Sequence, residues 1–157
     1  MNVSDAAIEM LKSIEGSESN MYLDPVGLPT IGVGHLLTKD ELSSGRLDSL
    51  GVPWYNGLTD DEVSDLLGHD LDSSASAVSS LVSVSLTQNQ FDALVSFVFN
   101  IGTSAFEKST LLRNLNAGGY ATVPDQMRRW VYSRGKILGG LVTRREKEIA
   151  LWSGGSA

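Results

Sequence analysis

Apolar residues recur at three- and four-residue spacing along most of this chain, the period of one face of an α-helix. Ile8, Leu11 and Ile14 form one such face, with Ser4 as N-cap and Gly16 as stop, and predict a first helix ending near Glu15. Val63, Leu66, Leu67, Leu71, Ala75 and Val78 predict a long helix over about 60–80. Phe91, Leu94, Val95 and Val98 predict another that stops at Gly102, and shorter helices are predicted near 109–116, 124–132 and 144–152. Thr38/Glu41, Thr59/Glu62, Thr87/Gln90 and Thr143/Glu146 each have the spacing of a capping box, a hydroxyl residue followed three positions later by Glu or Gln, which marks a helix start.

Only residues 21–37 break this period. Tyr22 is followed by the turn formers Asp24, Pro25 and Gly27, then Pro29 and the β-rich Thr30-Ile31-Gly32-Val33-Gly34, which reads as a small β-hairpin sheet. The pattern therefore predicts an α+β chain that is mainly α: a small α+β lobe over about 1–60, a long connecting helix over about 60–80 and a helical lobe over about 85–152. The Ser-rich stretch 73–85 keeps apolar residues at regular spacing and is expected to be ordered, whereas Gly154-Gly155-Ser156-Ala157 is expected to fray.

Composition narrows the chemistry. The 157 residues suit one compact domain, and zero cysteines exclude disulfides, a thiolate nucleophile and Cys-ligated zinc. The two histidines, His35 and His69, lack metal-ligand spacing, so neither a metal nor a cofactor is expected. Gly32-Val33-Gly34 is not a dinucleotide fingerprint, because Leu37 stands where the third glycine would be. No apolar run is long enough to span a membrane, and acids interrupt the first sixteen residues, so synthesis in the cytoplasm without a membrane anchor is expected. The net charge of −7 is uneven: residues 1–72 carry −11 and residues 73–157 carry +4, with seven cations between Arg128 and Lys147. That stretch is either a solvated basic face or a local anion site.

Two acids stand out. Glu15 falls at the C-terminal end of a helix, where exposed carbonyls disfavour an ionised carboxylate; a carboxyl held neutral there is a proton donor. Asp24 falls in the predicted turn, a common place for aspartate. A protonated acid facing an ionised carboxylate is the arrangement that glycoside hydrolysis needs. Thr30, six residues after Asp24, brings a hydroxyl able to help hold a water.

The residues that carry this chemistry also carry a resemblance. Glu15-Gly16, Tyr22-Leu23-Asp24, Gly27 and Thr30-Ile31-Gly32-Val33-Gly34-His35-Leu36-Leu37-Thr38 resemble the Glu, Asp, Thr signature of phage-type lysozymes, the endolysin family of glycoside hydrolases (family 24). Similar matches run through Phe97-Val98-Phe99-Asn100-Ile101-Gly102, Ser109 to Asn116, Arg129-Trp130, Gly139-Gly140-Leu141 and Arg144-Arg145-Glu146, a pattern closest to small lambdoid endolysins. The resemblance implies a two-lobed lysozyme-like fold and an N-acetylmuramidase that cleaves the β-1,4 bond between N-acetylmuramic acid and N-acetylglucosamine in bacterial peptidoglycan. Glu15 is then the general acid, and Asp24 with Thr30 positions the attacking water, with inversion expected. Leu36, Phe99 and Ser109 match saccharide-contacting positions, His35 a supporting one, and one of Arg144 and Arg145 is expected to reach Glu15. It further implies a monomer with no nucleic-acid partner, released by a holin to act in the periplasm during host lysis. A lytic transglycosylase and a silent wall-binding module are the competing readings.

Overall fold

A computed structural model describes residues 1–154 of the protein; three of the four residues of the expected frayed tail lie outside the described residues. The elements are α1 (Asp5–Glu15), β1 (Glu18–Leu23), β2 (Pro29–Gly32), β3 (His35–Leu36), α2 (Lys39–Ser44), α3 (Asp60–Asp70), α4 (Asp72–Leu81), α5 (Gln88–Ile101), α6 (Thr103–Glu107), α7 (Thr110–Asn116), a 3-10 turn (Tyr120–Thr122), α8 (Val123–Arg128), β4 (Tyr132–Ser133), β5 (Lys136–Ile137) and α9 (Gly139–Trp152). The protein is α+β and mainly helical, as its hydrophobic period predicts.

Internal contacts group the chain into two compact units, residues 8–72 and residues 1–7 with 73–157. The first unit contains α1 from its second turn onward, the antiparallel sheet β1-β2-β3, α2 and α3. β2 is its middle strand, with Thr30 opposite Tyr22 on one side and Leu36 on the other. Leu11, Ile31, Leu47, Val63, Leu66 and Leu67 form its core. Gly32, at φ +66°, lets β2 approach α3 closely: a Cβ there would sit 3.4 Å from Leu66 Cδ2. The other unit buries the whole inner face of α5, including Phe91, Leu94, Phe97 and Val98, with Phe106, Leu111, Leu115 and Met127. Phe97 meets Phe106 and Trp130 edge to face, with ring centroids 6.5 and 5.9 Å apart.

Local signals explain the helix ends. Ser4 Oγ accepts from Ala7 N–H at 3.2 Å at the start of α1, and Gly16, at φ +83°, donates to Lys12 O at its end. Thr38, Thr59 and Thr87 each form both bonds of a capping box. The fourth box, Thr143/Glu146, does not form. α9 begins four residues earlier at Gly139, so Thr143 lies inside the helix, and Glu146 instead receives two bonds from Arg128.

Three further differences have local causes. The helix expected over 60–80 is two helices separated at the fully buried Leu71, a break that leaves the apolar period intact. The helix expected near 124–132 ends at Arg128. Beyond it, β4 and β5 pair as a hairpin whose two turn residues, Arg134 (φ +51°) and Gly135 (φ +79°), are both left-handed, so residues 21–37 are not the one interruption of the helical pattern.

Candidate active site

Glu15 is the last residue of α1 and is exposed. The turn of α1 below it is held by Lys12, whose side chain is buried and whose Nζ donates to Asp60 Oδ1 (2.7 Å), Ser64 Oγ (3.0 Å) and Glu9 Oε1 (3.4 Å).

Asp24 follows β1 directly. Its Oδ1 accepts backbone N–H bonds from Val26 (3.0 Å) and Leu28 (2.8 Å), while its own N–H donates to Leu28 O (2.9 Å). This is the self-bonded turn expected of an aspartate. It also pins the carboxylate through one oxygen, Oδ1. Thr30, buried in the middle strand, donates its hydroxyl to Leu28 O at 2.9 Å, so the same backbone carbonyl region ties Thr30 and Asp24 together. Leu36, opposite Thr30 on β3, is half exposed.

His35 is a structural cation of the same unit. Its Nδ1 lies 2.8 Å from Asp70 Oδ2 and its Nε2 lies 2.9 Å from Glu41 Oε1. The bond to Asp70, with that to Glu41, outweighs burial and raises its pKa to about 9, so the imidazolium persists at neutral pH. Glu41, buried, also accepts the Thr38 and Asp48 N–H groups. Burial raises its pKa, but these bonds together outweigh it and leave the carboxyl below its ordinary value.

The remaining residues singled out from the sequence belong to the other unit. Phe99 is half-buried on α5. Ser109 is buried and caps α7: its Oγ donates to Phe106 O (2.7 Å) and accepts from Leu112 N–H (3.1 Å). Arg144 and Arg145 are both buried around Glu148, which is fully enclosed. Arg144 Nε donates to Glu148 Oε2 (3.2 Å) and its Nη2 to Ser96 O (2.9 Å). Arg145 donates to Glu148, to Asn100 Oδ1 and to Trp130 O, and its guanidinium carbon lies 5.0 Å from the centroid of the Phe97 ring. Burial is the largest influence on Arg144 and lowers its pKa. A groove of about 570 Å³ in this unit is lined by Asn100, Ile101, Trp130, Tyr132, Leu138 and Leu141, among others.

Sequence reasoning missed Lys12, Asp70 and Glu148. Glu148 stands three and four residues from the arginines, a helical spacing that would have found it. Asp70 is thirty-five residues from His35, and nothing local connects them. Among the described residues no cluster of acids and histidines forms a metal site, and no helix is long and apolar enough to cross a membrane.

A candidate acid at a helix end and a candidate carboxylate held in a turn beside a small antiparallel sheet, in a mainly helical chain, are the arrangement expected of a lysozyme-like glycoside hydrolase. Residues 12–148 match the phage lysozyme family model. The endolysin of Salmonella phage P22 is 42% identical over 152 residues, 97% of this chain and 98% of that one. The endolysin of Bacillus phage B103 is 35% identical over all of this chain, which spans only 56% of that protein's length. Among solved structures, a point mutant of P22 lysozyme superposes with a TM-score of 0.83 at 40% identity, covering 98% of this chain and 99% of that one. The chain belongs to the phage lysozyme family.

Proposed function

We propose that the protein hydrolyses the β-1,4 bond between N-acetylmuramic acid and N-acetylglucosamine in peptidoglycan. Glu15 protonates the leaving glycosidic oxygen, and Asp24 with Thr30 positions the attacking water. The observation that carries this reading is the division of labour at Asp24: two backbone amides hold Oδ1, and Thr30 is fixed to the same turn through Leu28 O. Such a carboxylate is oriented by backbone amides, as positioning a water requires. Leu36, Phe99 and Ser109 are proposed to contact the saccharide, and one of Arg144 and Arg145 to support Glu15. For Ser109 the contact uses the remaining acceptor capacity of a hydroxyl already engaged in capping α7. The biological setting proposed is lysis of a bacterial host from the periplasmic side, by a monomer released through a holin pore.

Inversion requires the two carboxyl groups to stand about 6.5–9.5 Å apart, leaving room for a water between the Asp24 carboxylate and the sugar. Proton NMR of the first products from soluble glycan strands tests it: new reducing ends should appear first as the α-anomer. Initial β-anomer would assign a covalent retaining route, and anhydromuramic ends without new reducing ends would replace hydrolysis by transglycosylation.

A further inference from the structure

The first unit contains one element to which the segments carrying both proposed catalytic carboxylates are tied. At the start of α3, Asp60 and Ser64 receive the Lys12 ammonium, which comes from the last turn of α1, three residues before Glu15. Just before α3, Leu58 N–H donates to Ser19 O on β1, the strand that ends at Asp24. At the other end, about 15 Å along the helix axis, Asp70 holds His35 on β3, whose neighbour Leu36 pairs with Thr30. Helix α3 thus has α1 fastened near its start, and the sheet fastened just before its start and at its end.

We infer that Lys12 is a positioning residue for the reaction: its bonds to Asp60 and Ser64 set where Glu15 stands relative to Asp24 and Thr30. This rests on the assignment of Glu15 as the acid. Lys12 touches no substrate in this scheme. Its side chain is 8% exposed, while Asp60 is 79% exposed, so the pair is half in water and contributes little to global stability. Its value is geometric: an acid displaced by about 1 Å from the leaving oxygen loses far more rate than the ion pair adds to stability.

The test uses the full chain and soluble, uncrosslinked glycan strands, with kcat, KM and Tm measured for Lys12→Met, Lys12→Arg and the exposed-side variant Asp60→Asn with Ser64→Ala. Lys12→Met keeps the buried stem and deletes the charge. It should lower kcat about tenfold with KM within twofold, and Lys12→Arg should recover most of the loss. Removing the two acceptors should lower kcat by a similar factor, and adding Lys12→Met to that variant should cost nothing more. Val78→Ala, a cavity in the other unit, supplies a control destabilised to at least the same Tm. A wild-type kcat in Lys12→Met, or a control that loses as much kcat, overturns the positioning role. If Lys12→Met does not fold, the Asp60/Ser64 variant decides alone, with wild-type kcat overturning the inference. Glu15→Gln run beside them separates the two ideas: an active Glu15→Gln defeats the acid assignment, whereas an inactive Glu15→Gln with a normal Lys12→Met defeats only the inference about Lys12.

Discussion

His35 shows what one residue contributes when two carboxylates flank it. Its pKa is raised from 6.5 to about 9, chiefly by Asp70, so the folded state binds a proton that the unfolded chain releases. The stabilisation is complete below pH 6.5 and disappears as pH rises through about 9. Its size is a few kcal/mol at most. Thermal unfolding of the wild type should therefore show Tm falling between pH 6.5 and 9, and Asp70→Asn should flatten that slope. An unchanged slope in Asp70→Asn would remove this pair as its source. Glu41 has the opposite sign: its lowered pKa stabilises the fold above about pH 4.5, and that contribution is lost as pH falls through the folded value. His35, matched by its place in a motif, acts through Asp70 at the far end of α3, a partner that no local spacing reveals.

At the scale of elements, three capping boxes were legible because each is complete within four residues. The false one, Thr143/Glu146, shows the limit: the same letters occur inside a helix, and only Arg128, eighteen residues earlier in the chain, explains where Glu146 is used. The hairpin at 132–137 was illegible because each strand has only two residues, too few for a two-residue period, although Arg134-Gly135 is a turn signal in hindsight. The basic stretch also divides along element lines. Arg144 and Arg145 are interior residues of α9, Arg128 is paired with Glu146 and Asp125, and Arg134 and Lys136 stand exposed on the hairpin. Replacing Arg145 with Met should leave the fully buried Glu148 with one of its two cations, Arg144, and with Oε1 stripped of the Arg145 bond, and lower stability by about 3–5 kcal/mol, measured by urea unfolding. Glu148→Gln should restore part of that loss in the double variant. A loss below about 1 kcal/mol would mean the network tolerates a missing cation.

For the whole molecule, the charge asymmetry read from the sequence follows the packing. The unit of residues 8–72 carries −10 and the rest +3. The proposed acid and water-holding carboxylate both lie in the acidic unit, and the net charge of −7 gives no long-range attraction to an anionic wall. Turnover on whole peptidoglycan should accordingly stay level or rise between about 0.01 and 0.1 M salt, as screening removes repulsion. A steep fall over that range would show that local cations dominate capture. The fold class was legible at this scale because helical periodicity covers most of the chain. Division into units at Asp72, and the packing of residues 1–7 with the later unit, were not, since both depend on contacts such as Ser4 Oγ to Asp92 Oδ2 that bridge eighty-eight residues.

Glu15 bears the whole account, and Glu15→Gln is the most direct trial of it: the change keeps size and hydrogen-bonding ability and deletes only the transferable proton. On purified peptidoglycan, release of reducing ends should fall by about 10²–10⁴-fold, with the Tm of the variant close to that of the wild type. Turnover within a few-fold of wild type in a folded Glu15→Gln protein would contradict the assignment of Glu15 as the general acid.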